Sequence, residues 1–572
     1  NLLRKELVSI ESEKIAIELT GAKEKLSNSQ LRAFFNEINK LKLKYIKNDR
    51  NDEKENQEEL GNLAIELLIL KSKLEYRRGK SGNNKLPKNF YIFMKENKVL
   101  VSNLPSECTT MIVGQEMTSD GSMLVARSED WDAMEAKNYE IYEDTTEGAT
   151  EYVAKDSPFR CELPKEALGY SALAPYCLPN HWGSAGFNTA GVGMSATESI
   201  FSSDEVLKYD PLVENGIAEN AVFNVVLPYI HTAREGVERL GMLIEKHGIA
   251  EGFGIGFVDN KEIWYLETAC GHRWLACRMP KDQYFVTGNQ SRFRLYDPLD
   301  TENYMASNDL LEFAEKHGLY DPKKGDFDFH EAYARDIKLD TTYNYPRVWG
   351  LQKMFSPSIK NDVTKNTFPV YAKAEKPISI ADMRHAFRFH YDNTEHDPYL
   401  HSNPKEPYRP VSIFRTTQTH ILQVRPELPQ AIGCVNYVAM GMADLGLFLP
   451  LYQGITSYPE AYTKGTDKSS VDSAYWKFRK VMTLGMVNYN KYAPIIKEAY
   501  LKFEAETDQR QREMEEEYLR IYKTQPLRAK DMLQEFSDKI LTKGMELADR
   551  LQEELFTQLT KDIQAEYLFH GA

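Results

Sequence analysis

Cys108 opens the run CTTMIVG, in which two threonines lead into an apolar stretch. Arg127 lies nineteen residues on and Asp130 three further, beyond the turn-forming Ser119, Asp120 and Gly121 and a second apolar run, SMLVAR. Two such runs around a turn read as a hairpin, whose far arm returns Arg127 and Asp130 toward Cys108. A thiol with a pKa of about 8.5 is mostly protonated at neutral pH, so nucleophilic work needs a cation beside the sulfur or a base that takes its proton. An α-amino group, with a pKa of roughly 7.7 to 8, suits the base role if Cys108 is itself the first residue. Acylated by Glu107, that nitrogen is an amide and has no basicity.

Two other constellations carry less. His385, His390, His396 and His401 crowd together with Asp392 and Asp397, but none has the H-E-x-x-H spacing of a zinc helix and Pro398 interrupts the span. Gly252, Gly254 and Gly256 lead into a strand pattern rather than a helix, which argues against a phosphate-binding fingerprint. Cys161, Cys177, Cys270, Cys277 and Cys434 form no C-x-x-C pairs and read as buried apolar fillers. No metal or organic cofactor is implied.

The elements that must position Cys108 belong to the second of two chemically different pieces. Of the 572 residues, the first 107 carry net charge +5 within a chain of net charge −14, and they hold no Cys, Trp or His. A boundary falls near Pro105. Ahead of it, Leu31, Phe34, Phe35, Ile38, Leu41 and Tyr45 recur at helical spacing after a capping-box Ser27 and Gln30, and Leu60 to Leu74 predict a second helix with a basic end at Arg77, Arg78 and Lys80. Beyond it, strands are predicted over 191–197, 253–258, 261–267, 273–278 and 283–287, a helix over 219–246, and helices across 472–566. The charged stretch ETDQRQREMEEEYLRIYK holds no long heptad register and reads as a solvated surface helix. With no run of eighteen apolar residues and no apolar leader block, the expected location is cytoplasmic, away from membranes.

The run CTTMIVGQEMTSDGSMLVARSEDWD resembles the start of the dipeptidase A-type (PepD-like) cysteine peptidases, N-terminal-nucleophile hydrolases related to choloylglycine hydrolases and penicillin V acylases. The resemblance continues through GFNTAGVGMSATES, DPLVENGIAE, IWYLETACGHRWLACRMP, FVTGNQ, YNYPRVWGLQKMF, HYDNTEHDPY and FRTTQTHILQVRP, covering 108–572. It implies an α+β fold, the four-layer α/β/β/α sandwich, and hydrolysis of dipeptides through a thioester. Cys108 would be nucleophile and, through its freed amine, base. Asp130 would hold the amine, Arg127 and the late Arg415 would stand near the sulfur, and Asn289 would bind the surroundings of the nucleophile. The oxyanion-hole Asn that the resemblance implies is not found, Thr197, Glu198 and Ser199 occupying its place, so some other donor must serve, a backbone N–H there being one candidate. Glu198 and Asn188 are the substrate-binding candidates, with Glu198 placed to grip an ammonium group. Relatives of this type often self-associate, so a homo-oligomer is expected.

The segments SNSQLRAFFNEINKLK and LAIELLILKSKLEYRRGK resemble the small helical subunit of type III-A CRISPR (Csm) effector complexes. That resemblance implies contacts to guide or target RNA from Arg32, Lys40, Arg77 and Arg78, and partnership with other effector subunits. The intact chain, its Cys108 amine blocked, is expected to be inactive as a peptidase. The two pieces are joined as a propeptide cut between Glu107 and Cys108, as a natural fusion without catalysis, or by artificial joining of unrelated chains, and the last is favoured.

Overall fold

The computed structural model describes residues 108–392, 394–400 and 408–566, which fall within one compact unit, Ser106–Ala572. The helices expected over 27–45 and 60–74, and Arg32, Lys40, Arg77 and Arg78, lie outside the described residues, as does His401.

In chain order the strands are β1 Cys108–Val113, β2 Met123–Asp130, β3 Lys137–Tyr142, β4 Glu151–Val153, β5 Arg160–Glu162, β6 Tyr170–Pro175, β7 Ala185–Phe187, β8 Gly193–Ser199, β9 Phe253–Val258, β10 Ile263–Cys270, β11 Arg273–Arg278, β12 Tyr284–Thr287, β13 Tyr304–Ala306, β14 Tyr371–Ala372, β15 Thr416–Val424, β16 Cys434–Met440 and β17 Leu449–Tyr452. They form a seven-stranded sheet, β14-β12-β1-β2-β15-β16-β17, and a six-stranded sheet, β13-β11-β10-β9-β8-β7. Their ladders are antiparallel, as the short links predict.

Side chains alternate across each strand, and β1, β2, β9, β10, β12, β15 and β16 are buried along their whole length, on both faces. Ile112, Val125, Phe285 and Leu422 of the first sheet share one core with Val258, Tyr265 and Leu275 of the second. The opposite face of the first sheet, with Met111, Leu124, Val286 and Ile421, packs against Val348, Met383, Phe387 and Leu533. The opposite face of the second, with Met194, Ile255, Phe257 and Trp264, meets Val222, Val237 and Leu240. The architecture is mixed α/β.

Two helical expectations need correction. The helix predicted over 219–246 is two, α1 Glu219–Val226 and α2 Ala233–His247, separated by a 3-10 turn over Leu227–Tyr229. Pro228 offers no N–H to a continuing helix, and Thr232 restarts the chain by accepting a hydrogen bond from Glu235 N at 3.1 Å. The highly charged C-terminal stretch is not simply solvated. All but its last two residues lie in the helix Tyr489–Ile521, whose Tyr492, Ile496, Tyr500, Glu504, Thr507, Gln511, Met514, Tyr518 and Ile521 recur at three- and four-residue steps and are buried. The buried polar members earn their place through bonds: Glu504 accepts from Arg388 at 2.6 Å and from Phe448 N at 2.9 Å. The strand expectations hold to within two or three residues at each end. Cys161, Cys270, Cys277 and Cys434 are buried as predicted, whereas Cys177 is exposed.

Candidate active site

Cys108 heads β1 and is 6% exposed. The β1–β2 ladder sets it opposite Glu129 and sets Thr110 opposite Arg127. By alternation, Cys108, Thr110, Arg127 and Glu129 share the face that looks at the second sheet. Arg127 Nη1 donates to the Cys108 sulfur at 3.1 Å and to Thr197 O at 2.8 Å, while Nη2 donates to Ala196 O at 2.5 Å. The two carbonyls of β8 thus fix a buried guanidinium against the sulfur. Burial pushes the Cys108 thiol well above its usual pKa; Arg127 pulls it down, and Glu198, Asp130 and Glu219 push it further up. The raised pKa leaves the group a neutral thiol, and a nucleophilic role for it would require a base.

The backbone of Cys108 is held as closely as its sulfur. Its N–H donates to Asn289 Oδ1 at 3.3 Å, and Asn289 Nδ2 donates to Glu198 Oε1 at 2.9 Å and to Ser199 O at 3.2 Å. Glu198 Oε2 accepts from Thr110 Oγ1 at 2.8 Å. Arg347 donates to the Cys108 carbonyl, to Thr109 Oγ1 at 2.9 Å, to Asn289 Oδ1 at 2.9 Å and to Asn344 Oδ1 at 2.6 Å.

The structure therefore brings Cys108, Arg127, Asn289 and Glu198 together. Asp130 stands beside them but faces elsewhere: its carboxylate accepts from Thr416 Oγ1 at 2.5 Å, from Ser128 Oγ at 3.2 Å and from Arg409. The nitrogen of Cys108 meets Asn289 rather than Asp130. Arg415 is exposed, and the arginines at the centre are Arg127, Arg347 and Arg409. Asn188 is committed to a turn, donating to Leu227 O and Ile230 O at 2.9 and 2.7 Å and accepting from Ala190 N and Val192 N. Both oxygens of Glu198 are engaged by Thr110 and Asn289, so it acts within the network rather than as an open ammonium grip. Arg347 was visible in sequence only as part of YNYPRVW, and Arg409 had no local signal.

Three further features fill in the surroundings. Glu219 accepts from Thr197 Oγ1 at 2.6 Å, and Glu251 accepts from Glu219 N at 3.0 Å. Of the crowded histidines, His390 is buried and lies within 3.0 Å of Asp397 and 3.1 Å of Asp392. Burial opposes its charge, but Asp392 and Asp444 outweigh it and raise its pKa to about 10. Among the described residues no group of His, Cys, Asp and Glu is arranged to hold a metal ion. Cavities of about 350 and 440 Å³ lie against the C-terminal helices, and Cys108 lines neither.

Burial raises the pKa of Glu198 from 4.5 to about 8, with Arg347 and Arg127 opposing the rise. Between those values the unfolded chain releases a proton that the folded chain keeps, so this group's contribution is whole below about pH 4.5 and is lost as pH climbs toward 8. In Glu198→Gln the unfolding temperature should fall less steeply across that interval than in the parent. Equal slopes would mean that Glu198 is ionised in the fold.

The family model of peptidase family C69 matches residues 107–502, and that of Csm2 type III-A matches residues 3–104. A probable dipeptidase of Salmonella dublin is 51% identical over 361 residues, 63% of this chain and 83% of that protein. A probable dipeptidase of Latilactobacillus sakei is 34% identical over 375 residues, covering 65% and 79%. Dipeptidase A of Lactobacillus helveticus is 32% identical over 400 residues, covering 68% and 84%.

Proposed function

We propose that this chain, which belongs to peptidase family C69, is a cysteine dipeptidase whose nucleophile is Cys108. The observation that carries the reading is the 3.1 Å contact of Arg127 Nη1 with the sulfur at the head of β1, with the nitrogen of the same residue held by Asn289. Residues 108–572 would be the catalytic domain. Two antiparallel sheets sharing a core, each with helices on its other face, support the four-layer sandwich of N-terminal-nucleophile hydrolases.

The chemistry follows from these positions once the bond between Glu107 and Cys108 is cut. The free α-amine, with a pKa of about 7.7 to 8, takes the thiol proton as sulfur attacks the substrate carbonyl. Arg127 offsets the negative charge on sulfur while it exists. The protonated amine then gives its proton to the departing amino acid, leaving the N-terminal residue of the dipeptide as a thioester. Water, deprotonated by the same amine, cleaves that thioester and restores the thiol. Once ionised, above about pH 8, the Glu198 carboxylate near the sulfur adds negative charge that favours a substrate ammonium. Asn289, tied to Arg347 and Glu198, keeps the amine in line.

In protein cut before Cys108, alkylation with iodoacetamide should abolish dipeptide hydrolysis in step with modification of the peptide that begins at Cys108, while a metal chelator leaves the rate unchanged. Loss of the rate to chelator alone, or a full rate with the sulfur alkylated, would overturn the reading.

The Csm2 match favours a second activity for residues 1–107, binding of guide or target RNA through Arg32, Lys40, Arg77 and Arg78 among effector subunits. Such binding would weaken steeply with salt. Changing Arg77 and Arg78 to Ala in the full chain should weaken RNA binding about tenfold or more and flatten its salt dependence. Unchanged affinity in a filter-binding titration would remove those two residues from the interface.

A further inference from the structure

The glycine run of β9 has a purpose that no phosphate explains. Phe253, Ile255 and Phe257 face the helices, so Gly254 and Gly256 face the first sheet. A Cβ on Gly256 would stand 2.8 Å from Val125 Cγ1 of β2. A Cβ on Gly254 would overlap the hydroxyl of Tyr265. Gly254 is also the middle of a cross-strand row, paired with Glu198 of β8 on one side and Glu267 of β10 on the other. The Tyr265 hydroxyl therefore lies over a gap between two buried carboxylates. Among the described residues it has no hydrogen-bond partner, although Tyr265 is only 1% exposed. A buried hydroxyl without a partner destabilises the fold, so a fold that keeps one, and keeps a glycine beneath it, has a use for it.

We infer that Tyr265 is a positioning residue for the Cys108 centre: its hydroxyl, seated over Gly254, donates to Glu198 when that carboxylate is ionised, and so steadies the group that carries Thr110 and Asn289. Glu267 is the poorer acceptor, because it already receives three donors, Ser291 Oγ at 2.5 Å, Arg292 N at 2.9 Å and Phe293 N at 3.4 Å, against the two, Thr110 and Asn289, that reach Glu198. The other groups around Glu198 are Thr110 on β1, Arg127 on β2, Asn289 after β12, and Arg347 and Arg409. None of them occupies the gap over Gly254. The inference rests on Cys108 being the nucleophile, since Glu198 acts on it only through Asn289 and Thr110.

The test uses the full chain with a protease recognition sequence placed directly before Cys108, purified intact and then cut. Tyr265→Phe removes only the hydroxyl. Above about pH 8, where Glu198 is ionised, it should lower kcat for a dipeptide about tenfold and leave KM within about twofold, and in the uncut chain, whose Cys108 nitrogen does not titrate, it should move the ionisation of Glu198 upward, because the ionised carboxylate has lost a donor. Gly254→Ala, which displaces the hydroxyl, should reproduce the shift. A Tyr265→Phe enzyme with the parent's kcat and pH profile would overturn the inference, whether or not Gly254→Ala folds. If the cut parent is inactive, the nucleophile reading fails separately. The unfolding temperature of the uncut chain then decides on Tyr265: its fall with pH should extend to higher pH in Tyr265→Phe than in the parent, and superimposable curves would overturn the inference.

Discussion

Changing Cys108 to Ser, in protein cut ahead of that residue, should lower dipeptide hydrolysis by about a thousandfold or more, equivalent to roughly 4 kcal/mol of barrier. The substitution keeps the size of the side chain and its place opposite Glu129, so Arg127 still has an acceptor and β1 still has its ladder. What changes is the proton. An amine of pKa about 8 shares a thiol's proton readily, whereas an alkanol hydroxyl is many units less acidic and a poorer nucleophile once the proton is only partly transferred. Burial sharpens the difference, because it already raises the thiol's pKa and would penalise an alkoxide more. The unfolding temperature should stay within a few degrees of the parent's, which separates lost chemistry from lost fold. A folded Cys108→Ser enzyme with the parent's rate would remove Cys108 from the mechanism.

Much of the centre was legible because a hairpin converts spacing into position. Two apolar runs around Ser119, Asp120 and Gly121 require antiparallel pairing. The register then puts Thr110 opposite Arg127 and Cys108 on the same face, so the arginine reaches the sulfur. The same alternation explains where Asp130 stands. Asp130 is an odd number of residues from Arg127 and so faces away from it, toward Thr416 and Arg409, not toward the nitrogen of Cys108. Asn289 was legible as a family position, and its contact with that nitrogen depends on β12 pairing with β1. Arg347 and Arg409 arrive from segments more than two hundred residues away in sequence, and no local pattern announces an arginine that will be buried in another element's network. Pro228 and the Thr232-x-x-Glu235 spacing did mark the break between α1 and α2, but the apolar periodicity on either side of it concealed the signal. The glycines of β9 illustrate the reverse problem. Their spacing was plain, while their role depends on Val125 and Tyr265, which only the packing of two sheets and the pairing of neighbouring strands bring to them.

In the proposed mechanism the nitrogen of Cys108 decides whether this arrangement can work at all. As an amide joined to Glu107 it donates to Asn289 and can accept no proton, so the sulfur has no base within its own residue. Freed, it becomes an amine beside the thiol, and proton transfer between them is intramolecular. General-base assistance of this kind contributes about a hundredfold to ten-thousandfold. The most direct measurement is therefore the rate of dipeptide hydrolysis by one preparation before and after site-specific cutting between Glu107 and Cys108, with the new terminus verified by N-terminal sequencing and the fold by its unfolding curve. The account predicts a rate at the detection limit before cutting and a rise of at least about a hundredfold after it. Equal rates before and after, or a folded product beginning at Cys108 that leaves dipeptides intact, would contradict it.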